Sequence, residues 1–133
     1  MKYLLSLVVA LLLNAAANLM MKVGMKSVAE GGGLLKSGVG AAIATVARSP
    51  VLLTGLLCFA LNAAFYMYAL QSRALKISIA YPIMVGGGFA VIALVARLHP
   101  ALHERLNLPQ ILGILLVLAG ITLIASQSES SAA

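Results

Sequence analysis

Residues 49–72 read SPVLLTGLLCFALNAAFYMYALQS, a stretch in which no side chain carries a charge. A helix of about 20 residues crosses the roughly 30 Å of hydrocarbon in a bilayer, so this stretch is long enough to span a membrane. Backbone polar groups in lipid must be hydrogen-bonded within their own segment, which favours a helix. The stretch therefore predicts a transmembrane helix.

Three more uncharged runs lie at 3–21, 77–96 and 106–128, and 62% of the chain is apolar while only 9% is charged. Soluble proteins average roughly 45 to 50% apolar and about 25% charged residues. The alternation that a transmembrane β-barrel requires is missing. We therefore predict an all-α membrane protein with one domain over 1–126. Its four transmembrane helices are expected at about 3–21, 49–71, 77–96 and 107–126.

The first run has a second interpretation. Lys2, the apolar stretch 3–13 and the small residues Ala15, Ala16 and Ala17 have the layout of a cleavable secretory signal. The run stays uncharged through residue 21, however, so we interpret it as helix one.

The connection between helices one and two is the longest in the chain, and it begins with a flexible run of three glycines, 31–33. Apolar residues then recur at helical spacing, which predicts an amphipathic helix at about 34–48 in the membrane interface. Ser49 and Pro50 are typical of a helix start, as are Asn107 and Pro109. The serine-rich tail, 127–133, is predicted to be disordered.

The net charge of +6 comes from cations in the connections, so we expect contact with anionic lipid head groups and no nucleic-acid binding. The positive-inside rule then places both termini outside the cytoplasm, although the bias is small enough to permit dual insertion. The connections after helices one and three carry Lys22, Lys26, Lys36, Arg48, Arg97 and Arg105, against Lys2, Arg73 and Lys76 on the other side.

Polar residues inside the helices form two stripes. In helix one, Asn14, Asn18 and Lys22 follow each other at intervals of four residues, and therefore share one face. Polar groups in hydrocarbon are costly unless they meet a partner or a wet cavity. The stripes are either interhelical hydrogen-bonding groups or the lining of a substrate groove. The stripe of helix two consists of Thr54, Cys58, Asn62 and Tyr66.

Several kinds of chemistry are disfavoured. The chain has no aspartate, and its acids Glu30, Glu104 and Glu129 lie outside the predicted spans, so no membrane carboxylate is available to a proton-coupled cation exporter. Lys22 instead points to a neutral or anionic head group. His99 and His103 are separated by a proline, which argues against a metal site. We predict no enzyme activity, no metal and no cofactor.

Glycines in the last two helices indicate close packing or motion. Pro82 with Gly86 and Gly88 in helix three is typical either of helix packing or of a hinge. In helix four, Gly113 and Gly120 lie one heptad apart on one face. Four helices are too few to enclose a path, so we expect a dimer that packs through these two glycines.

Three stretches carry a family resemblance: LNAAANLMMK at 13–22, IAYPIM at 79–84, and RLNLP at 105–109 followed by GILL at 113–116. They resemble the small multidrug resistance fold of the drug/metabolite transporter superfamily, which includes EamA-type proteins. Those exporters carry a glutamate where this chain has Asn14, and a tryptophan where it has Met84.

A closer resemblance is to the small flippase subunits that move aminoarabinose-phosphoundecaprenol across the bacterial inner membrane. It implies a lipid-linked substrate moved by alternating access in a homodimer or a heterodimer with a similar small subunit. It also implies that Lys22 meets the lipid phosphate, while Asn14, Asn18 and Tyr81 line the head-group path. We expect Asn62 and Tyr66 of the helix-two stripe to bind the substrate as well. Two alternatives stay open: a small-molecule exporter, and a non-transporting subunit that stabilises another membrane protein.

Overall fold

The computed structural model describes residues 1–73, 75–99 and 105–130, with side chains described up to residue 126. All of the helices within these residues except α2 are long and apolar enough to cross a membrane. The predicted fold class is therefore confirmed, and the chain is an integral membrane protein with a shorter helix between its first two spans. The helices are α1 (Lys2–Glu30), α2 (Val39–Arg48), α3 (Pro50–Ala69), α4 (Ile77–Leu98) and α5 (Leu108–Ser130).

Helices α1 and α5 extend well beyond their predicted spans, and α4 ends two residues later than predicted, at Leu98. Helix α1 continues through Lys22 and Lys26 to Glu30, because charged residues end the membrane-spanning part but are good helix formers. Its 29 residues are expected to be about 44 Å long, which exceeds the hydrocarbon core. Helix α5 likewise continues to Ser130, so 127–130 of the tail predicted to be disordered are helical. Residues 131–133 of that tail lie outside the described residues.

The interfacial helix begins later than predicted. Helix α2 starts at Val39 because Gly38 before it has a φ of 89°, a left-handed conformation that interrupts a helix. Gly32 and Gly33 are also left-handed, with φ of 103° and 99°. The predicted span of 34–48 therefore divides into a tight glycine-rich turn and a ten-residue helix.

The predicted start of α3 is confirmed. Ser49 Oγ accepts a hydrogen bond from the backbone N–H of Leu52 at 3.3 Å, and Pro50 is the first helical residue. At the start of α5, the backbone N–H of Asn107 donates to Gln110 Oε1 at 2.9 Å. That bond satisfies a donor that the helix leaves unpaired.

Helix α1 packs between α3 and α4. Ser6 Oγ near its start donates to the carbonyl oxygen of Phe65 near the end of α3 at 2.8 Å. Gly24 near the end of α1 instead packs on Leu52 near the start of α3. The two helices are therefore antiparallel. Helix α4 runs parallel to α1, because its early residue Ala80 lies in the core with Leu7 while its later Gly88 lies beside Asn14.

Small residues set the close approaches between helices. A Cβ atom at Gly55 would lie 3.2 Å from Met20 Cβ, and one at Gly87 would lie 2.5 Å from Leu11 Cδ1. A Cβ atom at Gly86 would collide with Ile121 of α5. Among the described residues, helix α5 packs closely on α4 and on no other helix. No residue in its apolar membrane-spanning stretch is buried. It therefore lies at the edge of the bundle.

Candidate functional site

In the polar stripe of α1, Asn14 faces α4. Asn14 is half-buried, and its Nδ2 lies 3.1 Å from the position that a Cβ atom at Gly88 would take. The exposed Asn18 donates through Nδ2 to the carbonyl oxygen of Asn14 at 2.8 Å, and the same Nδ2 lies 3.4 Å from Asn14 Oδ1. Lys22 is exposed one turn further along. The glycine at position 88 thus leaves room for the Asn14 side chain between the helices.

Helix α3 is the predicted helix two, and its polar stripe contains the strongest sign of a binding site among the described residues. Asn62 is only 5% exposed, and its Oδ1 atom has no hydrogen-bond partner. The hydroxyl oxygen of Tyr66, one turn away, is also buried without a partner. Buried polar atoms left unpaired cost about 1 to 3 kcal/mol each. Such a pair in the core therefore needs a ligand, water or a second protein group to satisfy it.

Two tyrosines meet across α3 and α4. The ring centroids of Tyr66 and Tyr81 lie 6.4 Å apart in an edge-to-face arrangement, a geometry that aromatic rings favour. Tyr81 is 54% exposed at the start of α4, whereas Tyr66 packs against the core formed with Leu7 and Met84. The pair therefore joins the buried polar atoms to the outer surface of the bundle.

The helix contacts order the predicted site residues by depth. Lys22 lies two residues before Gly24, which packs on the third residue of α3, so Lys22 lies near the membrane boundary. Asn18 and Asn14 follow towards the bundle centre. Tyr66 lies nearer the opposite end, where Ser6 contacts the neighbouring Phe65. Lys22, Asn18, Asn14 and Tyr66 thus lie at successive levels along the bundle, and Tyr81 packs beside Tyr66.

The α3 stripe reaches the bundle interior only in part. Thr54 is exposed, and its hydroxyl donates to its own helix at the carbonyl oxygen of Pro50, 2.7 Å away. Cys58 is half-buried with a free thiol. The spacing of four residues drifts around a helix by about 40° at each step, so the first members of the α3 stripe face outward and Asn62 faces inward. The part of this stripe that reaches the bundle interior is therefore Asn62 and Tyr66.

The predicted hinge residues lie where α4 meets its neighbours. Pro82 is inside α4, in its second turn, and Gly86 is buried against α5. Gly113 lines an apolar cavity of about 410 Å³ between α4 and α5. Gly120 is exposed, and a Cβ atom at either α5 glycine would meet nothing within 4 Å. A Cβ atom at either glycine thus has space, and the exposed Gly120 can be approached by a partner helix.

The sequence pattern did not predict a second polar region, a cavity between the end of α1, the glycine-rich turn and α2. Lys36 and Arg48 both line it. The sequence indicated only that these two cations lie near the two ends of the amphipathic segment. The folded glycine-rich turn is what brings them to one cavity. Of the histidine cluster, His99 is exposed, whereas His103 and Glu104 lie outside the described residues.

Fold and site together define an integral membrane protein with polar groups at successive depths of its bundle. No protein-family model and no solved structure matches the chain. Over 112 residues it is 32% identical to the uncharacterized protein y4nH of Sinorhizobium fredii (strain NBRC 101917 / NGR234), an alignment that covers 84% of this chain and 85% of that protein. The chain belongs to the same family as y4nH.

Proposed function

We propose that this protein is a transporter subunit that moves an amphiphilic substrate, a polyprenyl-phosphate-linked sugar, between membrane leaflets by alternating access. The observation that carries the proposal is the unpaired state of Asn62 Oδ1 and the Tyr66 hydroxyl inside a largely apolar bundle. An amide oxygen can only accept a hydrogen bond, so its ligand must donate one. The hydroxyl groups of a sugar supply such donors, and each also accepts a bond, as the Tyr66 hydroxyl requires.

The charge of the path favours an anionic substrate. Lys22 gives the α1 stripe a positive end near the membrane boundary, where a lipid phosphate would lie. Of the three acids in the chain, Glu30 is exposed at the end of α1, beyond the predicted span. A drug exporter coupled to protons requires a membrane carboxylate, and Asn14 occupies the position where the resemblance expects one. The lack of a carboxylate in the predicted spans therefore favours the lipid-linked substrate over the small-molecule exporter.

The proposed setting is the bacterial inner membrane, with both termini on the non-cytoplasmic side. Helix α1 is antiparallel to α3 and parallel to α4, so Lys22, Arg48 and Arg97 lie at the same end of the bundle. That end carries more cations than the end with Lys2 and Lys76, and the excess favours the cytoplasm.

We expect the functional unit to be a dimer that packs through α5. Replacing Gly113 or Gly120 with leucine should weaken association, because the larger side chain keeps the backbones apart. Within one chain both positions are open, so the fold of the monomer should survive. Crosslinking in native membranes measures the result.

Ala119→Leu provides the control for this prediction. Ala119 is also exposed on α5, but it lies on a different side of the helix from Gly113 and Gly120. The control should leave crosslinking unchanged. A dimer that tolerates leucine at both glycines would contradict the packing through α5.

Reconstitution into liposomes tests the function itself. The protein should speed the appearance of a fluorescent polyprenyl-phosphate-linked sugar in the opposite leaflet relative to protein-free liposomes. It should not drive uptake of quaternary ammonium compounds when a proton gradient is applied, because the spans lack a carboxylate. Robust proton-driven uptake would favour the exporter, and inactivity in both assays would favour a non-transporting subunit.

A further inference from the structure

A polar cavity of about 460 Å³ opens between the end of α1, the glycine-rich turn, α2 and the start of α3. It is separate from the substrate path proposed above, since none of the path residues lines it. The side chains that decide its chemistry are Ser27, Lys36, Ser37, Thr45, Arg48 and Ser49.

The cavity is built to hold negative charge. Lys36 and Arg48 line it, and the described lining residues include no aspartate or glutamate. The Lys36 side chain lies against the turn, because a Cβ atom at Gly32 would come within 2.6 Å of Lys36 Cδ and 2.7 Å of its Nζ. A glycine at this position therefore lets the lysine fold back over the backbone. Two cations that line one cavity favour an anion between them.

The hydroxyl groups divide into donors and acceptors. Ser49 Oγ accepts from the backbone N–H of Leu52, which leaves its proton available to a ligand oxygen. Thr45 Oγ1 donates to the carbonyl oxygen of Ala41 at 2.8 Å, and Ser27 Oγ donates to that of Gly24 at 2.9 Å. Those two hydroxyls therefore offer lone pairs, which suit the hydroxyl groups of a head group attached to the phosphate.

Helix α2 places the cavity at the membrane surface. Val39 and Ile43 are 69% and 66% exposed, and they lie on the opposite side of α2 from the cavity residues Thr45 and Arg48. A short helix with one apolar and one polar face lies in the interface with its apolar side among the acyl chains. The cavity is then at the depth of lipid head groups.

We propose that this cavity binds the phosphate of an anionic glycerophospholipid with a hydroxylated head group. Basic pockets at the ends of membrane helices are suited to such lipids. The bound lipid would tie α2 and the glycine-rich turn to the ends of α1 and α3. The site does not depend on the transport function, and each proposal can fail without the other.

The test is the affinity of the purified full chain for phosphatidylglycerol in detergent, measured by native mass spectrometry. The double variant Lys36→Gln with Arg48→Gln should bind about a hundredfold more weakly, or about tenfold for each charged contact removed. Lys26→Gln removes one charge near the same end without touching the cavity, and should bind as the wild type does. An equal loss of affinity in the double variant and in Lys26→Gln would overturn the proposal.

A second pair of variants leaves every charge in place. Gly32→Ala adds a methyl group where the Lys36 side chain lies and should weaken binding about tenfold, whereas Gly38→Ala meets open space and should not. Both glycines have positive φ, 103° and 89°, so each substitution strains the backbone. Equal binding by these two variants would contradict the role of Lys36.

The source of the phosphate is distinguished by three probes. Phosphatidylglycerol should bind more tightly than phosphatidylcholine, whose choline cation is disfavoured beside Lys36 and Arg48. It should also bind more tightly than inorganic phosphate, which has no acyl chains to contact the apolar face of α2. Inorganic phosphate that binds as tightly as phosphatidylglycerol would overturn the assignment to a lipid.

Discussion

Replacing Asn62 with leucine and Tyr66 with phenylalanine is expected to give a more heat-stable protein that binds its substrate roughly thirtyfold more weakly. The stability should rise because two buried polar atoms without partners disappear, each of which costs about 1 to 3 kcal/mol. The binding should fall because two hydrogen bonds to the substrate are lost, each worth about 1 kcal/mol. Higher heat stability together with weaker substrate binding distinguishes a binding site from hydrogen bonding between helices.

The measurements are thermal unfolding in detergent without substrate and affinity for a polyprenyl-phosphate-linked sugar. Thr54→Val is the control, because Thr54 lies on the same stripe but its hydroxyl donates to its own helix. The control should change affinity little. Lower heat stability of the double variant together with unchanged affinity would show that Asn62 and Tyr66 hold the bundle together.

The membrane fold could be predicted because it depends on the lengths of uncharged runs. In lipid, a single run of about 20 apolar residues can hydrogen-bond its backbone polar groups within itself only as a spanning helix. The start of α3 was predictable for a local reason, since Ser49 can accept a hydrogen bond from its own first turn. Helix ends were less predictable, because Lys22 ends an apolar run without ending the helix.

The site was predictable as two polar faces, but not as a set of contacts. Spacing shows which residues share a face of a helix, and does not show which neighbour that face meets. Asn14 faces α4 because Gly88 leaves space there, and this depends on how two distant segments pack. The burial of Asn62 likewise follows from α3 packing on α1. The cavity beside α2 requires the turn at Gly32, so sequence spacing did not reveal it.

Loss of the Lys22 charge is expected to cause the other large effect. Lys22 is exposed near the membrane boundary, at one end of the polar path that Asn18 and Asn14 continue. A charge-assisted hydrogen bond to a phosphate is worth about 1.5 to 3 kcal/mol, so Lys22→Gln should weaken binding about tenfold or more. Lys22→Arg keeps the charge and should preserve much of the affinity, although its geometry differs. A lysine that only anchors the helix would tolerate glutamine.

The affinity of the full chain for a polyprenyl-phosphate-linked sugar in detergent tests the proposed substrate site most directly. Wild type, Lys22→Gln and Lys22→Arg are compared in excess phosphatidylglycerol, so that binding beside α2 does not contribute. Arg73→Gln, a charge removed from the turn before α4, serves as the control. We predict that only Lys22→Gln binds about tenfold or more weakly. Equal binding by the wild type and Lys22→Gln would contradict the proposal that Lys22 binds the substrate phosphate.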